Sequence, residues 1–233
     1  MVTFEAFMER LAHGQLKNTA AVDESNLGVI CPEYIDTILS LTNQGMTDIS
    51  TRIPVFKAEV DLTFVDGQFI YPLVEAQVGT TLVEDTGEAF LDDRFIKIID
   101  LYDAAGVRHN INTDGHIMTP AFNTLRFTKV IKTSMIENAT KLGVTSHVRI
   151  RYQQKAATII ATDSINLPPN LLSALQLFVA SLYLSHMGGE EHSQKGDSYF
   201  GTYLGYLGVD VERDLSSTSE VEEVTKFESR GFV

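Results

Sequence analysis

The chain has 233 residues, 44% of them hydrophobic, enough to bury a full core in one domain or two small ones. Its formal charge of −13 excludes a protein that grips nucleic acid by neutralising phosphates, which needs clustered Lys and Arg. A single cysteine, Cys31, excludes an internal disulfide framework and a multi-cysteine zinc site, and it is compatible with a reducing cytosol.

The first residues mix acids into an apolar pattern without a basic start, so no secretory signal is expected. Over residues 3–17, Phe4, Phe7, Met8 and Leu11 recur at helical spacing behind Thr3, a side chain suited to an N-cap. Residues 17–29 are polar. Pro32 then stands where the first turn of a helix tolerates it, and Ile35, Ile38, Leu39, Thr42, Met46, Ile49 and Ile53 continue at three-and-four spacing to Pro54. Gly45 costs this helix about 1 kcal/mol against alanine, so a break or bend is expected there.

From Lys57 the period changes to two. Val60, Leu62 and Phe64 alternate with polar residues, Asp66-Gly67 signals a hairpin turn, and residues 69–73 read as the returning strand. Residues 79–87 read as loop. A second hairpin is expected from residues 95–102 and 107–112 around a turn at 103–106, and a third pair from residues 123–127 and 146–152. Arg149 and Arg151 share one face of the last strand, with pairing to the chain's acids as the expectation. Residues 133–143 have room for a helical turn.

Helix returns at Pro168. Residues 164–189 carry no formally charged side chain, and a helix without charge on any face expects protein around most of its circumference. Asn170, Ser173, Gln176, Ser181, Ser185 and His186 interrupt the run, which is shorter than the roughly 20 apolar residues of a bilayer span and lacks a basic flank. A helix wedged between other helices, its own or those of neighbouring subunits, is the expectation. A second helix, over residues 189–208, sets Tyr199, Tyr203 and Tyr206 in one row, Phe200, Leu204 and Leu207 in another, and Gly201, Gly205 and Gly208 in a third. Each helical glycine costs roughly 1 kcal/mol, which implies a gain through close approach of another helix. The alternative makes Gly208 a C-terminal cap and the other two incidental. The side chains expected to pack subunits together are Leu171, Leu175, Phe178, Leu182, Tyr199, Gly201, Tyr203 and Gly205. After Asp214 the apolar pattern ends, yet Phe227, Arg230, Phe232 and Val233 are anchors suited to docking a peptide tail into a partner, with an unstructured terminus as the alternative.

The fold class expected is α+β. N- and C-terminal helices (1–56 and 166–212) form a helical bundle, an antiparallel β domain (57–165) is inserted, and an extended C-terminal tail (213–233) follows. This order resembles the head-to-tail adaptor, or connector, proteins of short-tailed bacteriophages. The residues carrying the likeness are Phe95-Ile-Lys-Ile-Ile-Asp-Leu-Tyr-Asp-Ala-Ala-Gly106, Asn123-Thr-Leu-Arg-Phe127, the strand ending at Tyr152, and Ile165-Asn-Leu-Pro-Pro-Asn-Leu-Leu-Ser-Ala-Leu175 through the region 199–207, within roughly residues 30 to 210. The resemblance implies a non-enzymatic virion protein made in the bacterial host cytoplasm. It implies a homo-oligomeric ring, usually of twelve copies, at the neck between the portal protein and a tail tube or nozzle protein. It also implies that the C-terminal segment, here Phe227 to Val233, lies on the portal, and that genomic DNA passes through the channel without sequence-specific binding. A negative wall suits that passage, since phosphate binding would hinder it.

Other virion positions, tail-tube or capsid-decorating, and a small soluble hydrolase are the alternatives. For the hydrolase, Asp92-Asp93 beside Arg94 read more simply as a solvated acidic turn. His186 and His192 stand six apart with two glycines between, so they do not share a helix face as a zinc pair does at i and i+4, and His109 and His116 read as surface histidines. Cys31 precedes Pro32 at a helix start, where a thiolate is favoured, but no base is evident beside it. No catalytic residue, metal or cofactor is expected.

Overall fold

Thr3 begins the ordered structure as the sequence requires: its hydroxyl accepts the amide of Ala6 at 3.2 Å and caps the first helix. The computed structural model describes residues 1–23, 28–84, 90–113, 115–144 and 146–212. In chain order the elements are β1 (Val2–Thr3), α1 (Phe4–His13), α2 (Ile35–Arg52), β2 (Lys57–Thr63), β3 (Ile70–Pro72), β4 (Leu82–Glu84), β5 (Phe95–Asp103), β6 (Ile117–Ala121), β7 (Thr124–Phe127), α3 (Lys129–Leu142), β8 (His147–Gln154), β9 (Ser164–Ile165), α4 (Pro169–Met187) and α5 (Glu190–Glu212). Every pairing between these strands is antiparallel, so the class is mixed α and β with antiparallel sheets. The chain forms two compact units. One is Met1–Ile49 with the described residues from Thr158 onward, and the other is Ser50–Ala157.

The first unit is helical. β1 pairs with β9, Val2 opposite Ile165, and Phe4 N donates to Asp163 O at 3.0 Å, which ties the start of the chain to the segment leading into α4. Phe4, Phe7 and Leu11 of α1 are fully buried. Pro32 opens a single 3₁₀ turn before α2, and α2 then runs unbroken through Gly45. The expected bend is absent because the glycine serves packing: a Cβ at residue 45 would lie 2.5 Å from Leu175 Cδ1 and 2.8 Å from Phe178 Cδ1. The double proline starts α4 as expected, with Pro169 in the first turn and Pro168 at the cap position.

Gly188 and Gly189, both at positive φ, turn the chain from α4 into α5. The two helices then meet at Gly196, where a Cβ would lie 2.9 Å from Ser181 O and 3.0 Å from Ser185 Oγ. Further along α5, Tyr203 is fully buried, its ring edge-on to Phe178 with centroids 5.1 Å apart. Its hydroxyl donates to Asp48 Oδ2 of α2 at 2.5 Å.

In the second unit β4-β2-β8-β5 form a four-stranded sheet and β3-β7-β6 a three-stranded one. Of the three expected strand pairs, two do not form and the one that follows β5 is reduced to a single bridge. β2 lies between β4 and β8, while β3 pairs with β7, so the Asp66-Gly67 turn carries the chain from one sheet to the other. The segment 123–127 supplies β7, partnered by β3 and β6, and not by 146–152, whose strand β8 sits centrally between β2 and β5. β5 turns back at 103–106, but its return is one bridge, Tyr102 to Arg108.

The reason is burial rather than local turn chemistry. Val148, Ile150 and Tyr152 alternate inward on β8, and Val60, Leu62 and Leu101 flank them, so the long strand takes the centre. A second aromatic group, Phe64, Tyr71 and Phe127, packs edge-to-face with centroids 5.2 to 5.9 Å apart. Two segments exceed their sequence expectation: residues 82–84 pair as β4 where loop is expected, and a full helix, α3, occupies 129–142 and ends at Gly143 in the left-handed region, φ +71°.

Candidate assembly surface

α5 has two unlike faces. Toward its own unit it presents Gly196, Tyr203 and Leu207, all buried, with Tyr199 and Phe200 half-buried beside them. The other side carries Gly201, Thr202, Leu204, Gly205, Tyr206 and Gly208, all exposed, with Leu204 at 40% and Tyr206 at 45%. Among the described residues, a Cβ at Gly201, Gly205 or Gly208 would meet no atom within 4 Å. The row of glycines therefore lies open, whereas Gly45 and Gly196 are the glycines that closely packed helices fill. In the sequence Gly45 reads only as a weak point of its helix and Gly196 carries no signal, because each stands alone, with no row to mark it.

The eight residues expected to join subunits divide accordingly. Leu171, Leu175, Phe178 and Tyr203 are buried within their own chain, and Leu182 and Tyr199 are half-buried there. Gly201 and Gly205 are exposed. The lack of charge on α4 is thus answered by cover from the same polypeptide. α1, α2 and α5 all reach it: Gly45 of α2 abuts Leu175 and Phe178, and Tyr34 stacks edge-on against Tyr183 at 6.0 Å. Burial pushes the Tyr183 phenol up to about 12, with Tyr34, the Cys31 thiol and Glu33 adding to it, so it stays protonated. The docking anchors Phe227, Arg230, Phe232 and Val233 lie outside the described residues.

Charge is distributed as unevenly as burial. Through residue 212 the helical unit holds 13 Asp and Glu but only three cations, Arg10, Lys17 and Lys195, a balance of −10. The β unit holds 13 acids and 12 Lys or Arg, a balance of −1. Its cations are used across strands. Arg149 Nε reaches Asp61 Oδ1 at 3.0 Å, Arg151 Nε reaches Glu59 Oε1 at 2.9 Å, and Arg108 reaches Asp100 Oδ1 at 2.7 Å. The guanidinium of Arg151 also lies over the Tyr102 ring, 5.4 Å from its centroid. Both arginines singled out in the sequence are therefore paired with acids.

At the turn after β5, Asp103 is nearly buried and accepts from Ala105 N and Val107 N, both at 2.9 Å, and from His109 Nε2 at 3.1 Å. Burial alone would raise its pKa. The bonds from His109, Val107 and Ala105, with the charge of His109, outweigh burial and hold it below the ordinary carboxylate value.

Two of the other chemically suggestive residues, His186 and Asp92, are engaged with backbone groups. His186 Nδ1 lies 2.7 Å from Leu182 O within its own helix. Asp92 Oδ1 accepts the amide of Glu75 at 2.8 Å, and Cys31 stands at the cap of the 3₁₀ turn. Among the described residues no three His, Cys, Asp or Glu side chains gather as a metal site, and no helix is long and apolar enough to cross a membrane. No family model matches the sequence, and no curated protein matches it.

Proposed function

We propose that the protein is a structural virion component, a head-to-tail adaptor that forms a homo-oligomeric ring of about twelve copies between the phage portal and the tail tube or nozzle. In this reading α1, α2, α4 and α5 are a bundle forming the body of the ring, and residues 213–233 are an extended tail that docks on the portal. The resemblance supplies the number and the neighbours. The observation that carries the reading is the open glycine row of α5. Three helical glycines cost about 3 kcal/mol against alanine by propensity alone, and among the described residues none lies close enough to their Cβ positions to repay it. A neighbouring helix in close backbone approach supplies that return.

The charge supports the same reading. A helical unit with a balance of −10 repels phosphate, which lets duplex DNA slide along it without being held. Deleting residues 213–233 tests the docking step. The truncated chain is expected to fold and to lose association with portal rings in sedimentation, and undiminished association refutes the docking role.

A further inference from the structure

Between Thr63 and Ile70 the chain passes from the four-stranded sheet to the three-stranded one, and this link has little apolar cover of its own. Val65, Phe69 and Ile70 are 42%, 37% and 53% exposed, so burial does not explain why the link holds one shape. Lys132 of α3, only 5% exposed, does. Its ammonium donates to Val65 O at 2.5 Å, Gln68 O at 2.7 Å and Tyr71 Oη at 3.1 Å, which uses all three of its N–H bonds. The rings of Phe64, Phe69 and Tyr71 lie around it, their centroids 5.6, 5.2 and 5.7 Å from Nζ, within reach of cation–π attraction. The link's own bonds converge on the same atoms: Gln68 N donates to Val65 O at 3.2 Å, and the Tyr71 hydroxyl lies 2.9 Å from Gln68 O.

We propose that Lys132 is a cation clasp, a charge lent by α3 around which the 64–71 link folds and through which the two sheets are held in register. A buried ammonium is costly unless its hydrogen bonds are made, and here carbonyl dipoles, a phenol and ring faces make them. The converse also holds. Without the ammonium, the carbonyls of Val65 and Gln68 lose their charged donor and keep only the weaker neutral ones from Gln68 N and the Tyr71 hydroxyl, and the link opens to let water complete them.

The test is native-state amide hydrogen exchange on the full chain. In Lys132→Met, which fills the space without the charge, the amides of Gln68 and of Phe127, the latter bonded to Phe69 O at 2.9 Å, are expected to exchange at least tenfold faster, with those of β8 unchanged. In Lys132→Ala, added methylammonium is expected to restore protection where equal methanol does not. If Lys132→Met fails to fold, the same pair of additives is compared on recovery of the folded circular-dichroism signal of Lys132→Ala. Wild-type exchange rates in Lys132→Met overturn the clasp, and so does any result in which methylammonium does no better than methanol.

Discussion

The two units solve the same problem, satisfying a marginal fold, by opposite means. The β unit balances 12 cations against 13 acids and spends them in cross-strand pairs such as Arg149 with Asp61 and Arg151 with Glu59. The helical unit has three cations for its 13 acids and relies on close helix packing instead, with Gly45 and Gly196 as the points of nearest approach. Each unit therefore tolerates a different kind of change. Volume is critical in the helices, and charge and hydrogen bonding in the sheets.

The strongest break of that contrast is Phe178→Ala. This side chain packs against Tyr203, Phe200 and the Gly45 backbone, and its loss is expected to cost about 3–5 kcal/mol in urea unfolding. Gly45→Ala comes next. Elsewhere in a helix the exchange helps, but here the new Cβ would press into Leu175 and Phe178, so a net loss of about 1–3 kcal/mol is expected. A gain in stability would show that α2 and α4 are not in close contact there. Gly205→Ala sharpens the comparison with the opposite sign. Its Cβ meets nothing within 4 Å among the described residues, so the isolated chain is expected to gain about 0.5–1 kcal/mol.

A smaller effect belongs to the β unit. The Asp103 pKa is lower folded than unfolded, so its contribution to stability is complete above the ordinary carboxylate pKa and is lost as pH falls through the lowered value. Asp103→Asn removes that slope. Acid titration of the two proteins by fluorescence or circular dichroism is expected to give a shallower acid limb for the variant, and identical limbs would show that the carboxylate is not titrating as described.

Helices were the legible part of the sequence, because period and caps are local. Thr3 caps α1, Pro32 opens the 3₁₀ turn that leads into α2 at Ile35, and the double proline read as a start at Pro168 opens α4 one residue later. Strand positions were readable too, but not their partners. Asp66-Gly67 carries a hairpin signal, yet β2 joins β8 some 90 residues away because only that pairing buries Val60, Leu62, Val148 and Ile150 together, and turn chemistry has no view of that. The uncharged surface of α4 was legible as a demand for cover, but not who meets it. Leu171, Leu175 and Phe178 turn out to be core of their own chain. The glycine row of α5 was legible as a row, and its openness required coordinates.

In the proposed ring the open face of α5 is covered by other copies of the chain. Light scattering on the purified protein tests it most directly, comparing wild type with Gly201→Leu/Gly205→Leu, a pair of changes that obstruct the face without touching the protomer's core. The expected mass is a multiple of 25.8 kDa for the wild type and a folded particle of 25.8 kDa for the variant. A wild-type mass of 25.8 kDa at every concentration, or a variant that assembles as the wild type does, would contradict it.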